Sequence, residues 1–216
     1  MCGRYTLKTP LDTLVKHFGL TEYPPRLSSS YNIAPTQLVA AVTGSGRLET
    51  LRWGLIPSWA RDDSIGARLI NARAETVNEK PSFRSAFRRR RCLIPADGFY
   101  EWRRSNGGKQ PYYITVRGGE PFAFAGIRES WSGPEEEVHS CAIITTRANP
   151  LVAGIHDRMP VILPPDAYDP WLDPEAEAQE AISLLEPFSP DEMDAYPVSA
   201  RVNRPANNDE RCVQPL

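Results

Sequence analysis

At 216 residues and 24.2 kDa the chain is long enough to bury a core without metal or disulfide staples, and a single domain over 1–216 is the expectation. The net charge of −2 excludes a uniformly basic coat for nucleic acid, but it hides a split. Residues 1–128 hold 16 Arg and 4 Lys against 10 acids, a net +10, while residues 129–216 hold 5 Arg against 17 acids, a net −12, so one half suits a polyanion partner. Arg outnumbers Lys 21 to 4, which fits phosphate recognition by the planar guanidinium fork or, more blandly, an Arg-rich proteome.

No apolar run reaches the roughly 18 to 20 residues of a membrane span, and the opening MCGRYTLKTP has no signal-like apolar stretch. A soluble, cytoplasmic protein is expected, on the nucleoid if the source is bacterial. Cys2, Cys92, Cys141 and Cys212 lie far apart with no C-x-x-C pair, so reduced thiols and no metal are expected. The 21 prolines and 14 glycines cut the chain into short pieces and favour strands over a helical bundle.

In chain order, residues 2–7 are extended. The spacing of Leu11, Leu14, Val15 and Phe18 then predicts a helix, capped by Thr9, begun by Pro10 and ended by Gly19. Residues 37–43 and 47–53 read as a hairpin around 44–46, and 81–91 as a short helix with Phe83 and Phe87 on one side and Arg88 to Arg91 at its end. That arginine run is either a second phosphate patch or an exposed helix end. Strands follow at 91–95, 99–103, 112–117, 122–127 and 138–146, separated by turn signals at Asp97-Gly98, Asn106-Gly107-Gly108, Gly118-Gly119 and Gly133-Pro134. This is the pattern of an antiparallel sheet or barrel. Glu135 to Glu137 read as a solvated loop. The acidic tail reads as helices at 165–172 and 175–188, within the same domain, and a last strand at 196–202.

Cys2 carries the chemistry of most interest, because methionine is usually trimmed when a small side chain follows, which leaves a free amine beside a thiol. An α-amine of pKa near 7.7 to 8.0 is about one quarter neutral near pH 7.4, against about one part in a thousand for lysine. A neutral amine condenses with an aldehyde to a Schiff base, and the neighbouring thiol can close a five-membered thiazolidine. The ordinary alternative is a small buried hydrophobe at the start of a strand.

Six stretches bear on this choice: Met1-Cys2-Gly3-Arg4-Tyr5, Tyr31-Asn32-Ile33-Ala34-Pro35-Thr36, Trp53-Gly54-Leu55-Ile56-Pro57-Ser58-Trp59, Asn71-Ala72-Arg73-Ala74-Glu75-Thr76, Gly98-Phe99-Tyr100-Glu101-Trp102 and Ile155-His156-Asp157-Arg158-Met159-Pro160. In order, spacing and type they resemble the SRAP family, first named SOS-response-associated peptidases and also known as sensors of abasic sites in DNA. The resemblance runs from residue 2 to about 200. It implies a single α+β domain with a strand-rich, barrel-like core and short peripheral helices. It also implies that Cys2 reacts with the ring-opened aldehyde of an abasic site in single-stranded DNA, forming a thiazolidine crosslink.

Carried over by residue, the resemblance makes Cys2 the source of amine and thiol, and Asn71 the holder of the amine. Glu101 and His156 would move protons: His156 at the sugar ring oxygen and hydroxyl, Glu101 at the amine and Schiff base, with crosslink reversal or β-elimination as possible extensions. Each also has an ordinary role open to it: a strand acid for Glu101, a turn or cap for Asn71. Arg4, Arg73 and Arg158 are the phosphate candidates, with Thr145 and Ser140 as weaker hydrogen-bonding ones. Pro35 and Trp59 would wedge between or stack on flanking bases, with Phe83 a further candidate for the wedge, and core packing is the alternative for Trp59. No cofactor, a monomer, and a basic groove around Cys2 facing away from the acids of 165–194 complete the expectation. The older family name keeps an N-terminal-nucleophile peptidase in view as the alternative.

Overall fold

The computed structural model describes residues 2–105, 107–134 and 136–216. The trimming of Met1, the Asn106 corner of one predicted turn and the Glu135 end of the predicted acidic loop lie outside the described residues.

The first strand, β1 (Tyr5–Leu7), leads into α1 (Leu11–Phe18), whose Leu14 is buried. Gly19 ends the helix at φ +59, a left-handed conformation that glycine adopts without strain. Thr9 is not the cap. Pro10 occupies that position, and the Thr9 hydroxyl instead donates to Asp97 Oδ2 at 2.8 Å. After β2 (Ser30–Ile33), the predicted hairpin is present as β3 (Leu38–Thr43) and β4 (Arg47–Trp53), in register Val39↔Leu51 and Val42↔Leu48.

Next come β5 (Asn71–Arg73), α2 (Arg84–Arg89) and β6 (Arg91–Ala96). The predicted helix is shorter at both ends, and Phe83 and Phe87 are both buried, which removes Phe83 from any exposed wedge. The arginine run divides: Arg88 and Arg89 are exposed at the helix end, Arg88 Nε donating to Asn78 Oδ1 at 3.0 Å, whereas the other two are engaged within the fold. Arg90 pairs with Glu129 at 2.7 Å. Arg91 is buried and donates to the carbonyls of Trp171 (2.7 Å), Phe87 (2.9 Å), Arg88 (3.2 Å) and Asp173. Carbonyls left over at the ends of two short helices need donors, and this guanidinium supplies them.

Four longer strands follow: β7 (Gly98–Ser105), β8 (Gly108–Val116), β9 (Phe122–Ser132) and β10 (Glu137–Arg147). The tail holds α3 (Pro150–Ala153), β11 (Arg158–Pro160), β12 (Ile162–Leu163), α4 (Tyr168–Leu172), α5 (Ala178–Ser183) and β13 (Met193–Pro197). The predicted helix at 165–172 is present as a 3₁₀ turn, Pro165–Ala167, running into α4, whereas the one predicted at 175–188 is reduced to α5. Leu185 and Phe188 are buried beyond the end of α5, and Pro190 biases Ser189 away from helix. The predicted strand at 196–202 is shifted to β13 and stops at Pro197. The Ser199 side chain then accepts from the Arg201 N–H and starts a 3₁₀ turn, Ala200–Asn203.

Strands β4, β3, β6, β9 and β10 pair in that order, and β10 returns to β4 in parallel through Ser140↔Arg52 and Cys141↔Trp53, closing a five-stranded barrel. Trp53, Phe124, Ile94, Cys92 and Cys141 are buried in the main core cluster. The fold is α+β with a strand-rich barrel core, as expected.

A second sheet of order β13-β8-β7-β1-β2 carries the N-terminus. Here β1 is tied to β7 by Tyr100 N–H to Arg4 O and Asp97 N–H to Thr6 O, both 3.0 Å. At Gly98 a Cβ would sit 2.2 Å from the Tyr113 hydroxyl, so only glycine lets β7 pass there. On the barrel side β10 is the organiser. It pairs in parallel with β5 (Ile143↔Asn71, Thr145↔Arg73) and antiparallel with β11 (Arg147↔Arg158). Asn71 and the His156–Arg158 segment, 85 residues apart in sequence at Asn71 and His156, therefore hang from one strand.

Candidate active site

The antiparallel run of β1 along β7 carries Cys2 back toward Glu101. Cys2 is buried, and desolvation, then the Glu101 carboxylate, hold its thiol well above the ordinary range. The thiol is accordingly protonated at neutral pH. Asn71 Nδ2 donates to the Cys2 carbonyl at 2.8 Å. Its Oδ1 is buried with no hydrogen-bond partner among the described residues, leaving an acceptor beside the Cys2 backbone.

Glu101 is 2% exposed and lines a cleft of about 460 Å³ together with Trp102, Arg104, Lys109, His156 and Asn203. Burial raises its carboxyl to about 7, and the Asp157 charge adds to the rise. A carboxyl titrating there is present in both protonation states at neutral pH, the condition for giving and taking protons. His156 lies in the turn between α3 and β11, held by its N–H to Val152 O at 2.8 Å. Its Nδ1 accepts from the Arg158 N–H at 3.0 Å and lies 2.9 Å from Asp157 Oδ1. Burial, with the Arg104 guanidinium among the charges, pushes its pKa below the usual value, so the neutral ring predominates at pH 7. Its Nδ1 thus faces two neighbours of opposite demand, the Arg158 N–H, which calls for a lone pair there, and the Asp157 carboxylate, which calls for a proton.

Cys2, Asn71, Glu101 and His156 thus converge, brought in by the N-terminal strand, β5, β7 and the turn before β11. The binding candidates fare differently. Arg73 is exposed. Arg4 is half-buried and donates to Asn32 Oδ1 (2.9 Å), Val202 O (2.6 Å) and Asn203 O (3.4 Å). Arg158 grips Glu75 through two bonds, 2.5 and 2.9 Å, and donates to Thr145 O at 2.6 Å. Glu75 titrates below the usual carboxylate range because of these bonds.

Trp59 is 59% exposed, which excludes core packing, and its loop is pinned by Trp131 Nε1 donating to Ala60 O at 2.8 Å. Pro35 is half-buried and precedes Thr36, a β-branched residue at φ 71, a strained conformation. Thr145 and Ser140 are corrections to the expected contacts. Both are fully buried. Thr145 Oγ1 points to Ala72 O at 3.5 Å, and Ser140 Oγ accepts from the Ile56 N–H at 2.9 Å.

Sequence reasoning missed Glu75 and Asn32, although both lie within stretches already singled out. It also missed Asp97, read only as half of a turn, and the cleft residues Arg104, Lys109 and Asn203. The acids of 165–194 are absent from the described lining of the Glu101 cleft. Among the described residues no helix is long and apolar enough to cross a membrane, and no group of three or more His, Cys, Asp or Glu is placed to hold a metal.

The chain is similar to several named proteins and to a solved structure. Abasic site processing protein YoqW of Bacillus subtilis (strain 168) is 45% identical over 222 residues, covering 99% of both chains. Abasic site processing protein HMCES of Xenopus tropicalis is 35% identical over 191 residues, 77% of this chain and 56% of that one. A crystal structure of a protein from Bacteroides thetaiotaomicron superposes with a TM-score of 0.92 at 32% identity, covering 100% of both chains. The profile of the family described as SOS response associated peptidase matches residues 1–205. The chain belongs to the SOS response associated peptidase (SRAP) family.

Proposed function

We propose that this protein processes abasic sites in DNA, as its named relatives do, by capturing them covalently in single strands through Cys2 once Met1 is removed. The observation that carries the reading is the convergence of Glu101 and His156 in one cleft beside a Cys2 whose carbonyl is held by Asn71.

An abasic sugar is mostly a closed hemiacetal. His156 serves its ring oxygen and hydroxyl, and opening exposes the C1′ aldehyde. The Cys2 amine adds to C1′, water leaves, and a Schiff base forms. The thiol then adds to the same carbon and gives up its proton, closing a thiazolidine with net loss of one water. Glu101, titrating near 7, takes the amine proton, returns one to the departing hydroxyl, and accepts the thiol proton. Asn71 Oδ1 orients the amine. Arg73 is the most accessible of the three carried-over arginines, Arg4 and Arg158 support the strand path, and Trp59 with Pro35 separates flanking bases. The protein acts as a monomer with little sequence preference. The peptidase reading is weaker, because a cysteine nucleophile of that kind works as a thiolate, whereas this thiol is held protonated by burial.

The test is a denaturing gel of Met1-free protein, verified by intact mass, mixed with a single-stranded oligonucleotide holding one abasic site. A shifted band lost in Cys2→Ala is expected. Absence of the band in wild type, or turnover of peptides by Cys2 without inhibition by the oligonucleotide, overturns the proposal.

A further inference from the structure

The cleft that holds Glu101 and His156 is also lined by two cations, Arg104 on β7 and Lys109 on β8. They are direct cross-strand partners, the penultimate pair toward the tip of the hairpin. Like charges placed directly opposite each other repel and destabilise a hairpin. Among the described residues no acid pairs with either one, whereas Arg4 and Arg158 spend their donors on Asn32, Val202, Glu75 and Thr145. An anion between Arg104 and Lys109 would turn this repulsion into a two-pronged clamp.

An abasic nucleotide offers no base to grip. Whatever holds it must use its sugar hydroxyl and its phosphates. We infer that Arg104 and Lys109 form a subsite for a phosphodiester of the reacting nucleotide, at the mouth of the Glu101–His156 cleft. This rests on the proposed abasic-site function and extends it to residues outside the motifs that carry the family resemblance. The subsite fixes the sugar between the phosphate clamp and Cys2, so that the aldehyde meets the amine as a held reactant.

The experiment uses the double variant Arg104→Gln, Lys109→Gln and a single-stranded oligonucleotide carrying a tetrahydrofuran analogue, which has no aldehyde and cannot crosslink. Both residues are exposed and their replacement relieves the repulsion across the pair, so the variant should melt at the wild-type temperature or slightly above it, checked before binding is read. Dissociation constants are measured over a salt series. Losing one phosphate contact should flatten the plot of log affinity against log salt by about 0.7 and weaken binding about tenfold at low salt. The charge-preserving swap Arg104→Lys, Lys109→Arg should restore the wild-type slope. A double variant with wild-type slope and affinity overturns the inference.

A second arm compares adduct formation with 2-deoxyribose 5-phosphate and 2-deoxyribose. Wild type should favour the phosphorylated sugar, and the double variant should lose that preference. If wild type forms no adduct with either sugar or with abasic DNA, the Cys2 chemistry fails, while the salt series still decides the subsite.

Discussion

Asn71 Nδ2 and the Cys2 carbonyl are 2.8 Å apart, a bond spanning 69 positions of sequence that ties the N-terminal residue to β5 and through it to β10. It is the hydrogen bond that joins these two residues among those described, and Asn71 Oδ1 is buried with no hydrogen-bond partner among the described residues. Replacing Asn71 by Leu leaves the carbonyl without this donor and removes the acceptor. A stability loss of about 1 to 3 kcal/mol is expected by thermal unfolding, the ordinary cost of orphaning a buried polar group. Adduct formation with an abasic oligonucleotide should fall more than stability does. Wild-type adduct rates in Asn71→Leu would remove Asn71 from the site.

Glu101 sets a pH dependence whose sign follows from its burial. Its carboxyl titrates near 7 in the folded protein and near 4.5 when unfolded, so between these values the folded state binds the extra proton. Stability on this account is greatest below pH 4.5 and declines as pH rises through 7, by a total of about 3 kcal/mol. Glu101→Gln removes the titration. The variant should therefore gain on wild type between pH 5 and pH 8 in denaturant unfolding, while adduct formation loses its inflection near pH 7. A stability difference that does not change with pH would show that Glu101 titrates normally.

The Arg158–Glu75 pair places an acid on donors that phosphate would otherwise use. The Glu75 side chain is 51% exposed, so breaking the pair should cost no more than about 1 kcal/mol of stability. Glu75→Gln frees the guanidinium, and single-stranded DNA should bind a few-fold tighter with a steeper salt dependence. Weaker binding would instead mean that Glu75 holds Arg158 in its working orientation.

How much of this was legible in sequence depends on whether the deciding interaction is local. The β3–β4 hairpin was, because an apolar run, the glycines at 44 and 46 and the spaced Leu48, Leu51 and Trp53 encode it within seventeen positions. The α1 stop at Gly19 was legible for the same reason. Asn71, Glu101 and His156 carry no local mark of their function and were picked out by family resemblance alone. Their gathering depends on β10 pairing with both β5 and β11, which no spacing rule reveals. Arg91 looked like one of four exposed cations. It is buried because carbonyls of residues 171 and 173, far along the chain, require its donors. The end of the last strand was misplaced because Val198 and Val202 are strand-like by type, while Ser199 turns the chain between them.

Asp97 shows the same limit from the other side, since Asp97-Gly98 suggests a turn and nothing more. The carboxylate is fully buried and accepts from the Thr6 hydroxyl (2.5 Å), the Lys8 N–H (2.6 Å), and the Thr9 N–H and hydroxyl (2.8 Å each). Asparagine in its place would turn an amide N–H₂ against donors. Asp97→Asn should cost about 3 kcal/mol or more, as removing a charge from a buried hydrogen-bonded network does. Because β1 is what carries Cys2 to Glu101, adduct formation at a temperature where the variant remains folded should drop as well. A variant within 1 kcal/mol of wild type would contradict this account of the tether.

Trp59 separates binding from folding most cleanly. An indole 59% exposed on a loop pinned by Trp131 contributes little to the core, so Trp59→Ala should change stability by less than about 0.5 kcal/mol. If the ring stacks on a base flanking the abasic site, truncation should cost about 1 to 3 kcal/mol of single-strand affinity. That corresponds to a loss of roughly 5-fold to more than 100-fold in dissociation constant. Trp59→Phe keeps a π-face and should recover most of it, because stacking does not read sequence. The measurement is fluorescence anisotropy of a labelled oligonucleotide with the uncrosslinkable analogue, which keeps Cys2 chemistry out of the readout. Equal affinities for wild type, Trp59→Phe and Trp59→Ala would leave the exposed ring with no part in gripping DNA, and the task of parting the flanking bases would pass to the strained Pro35-Thr36 turn.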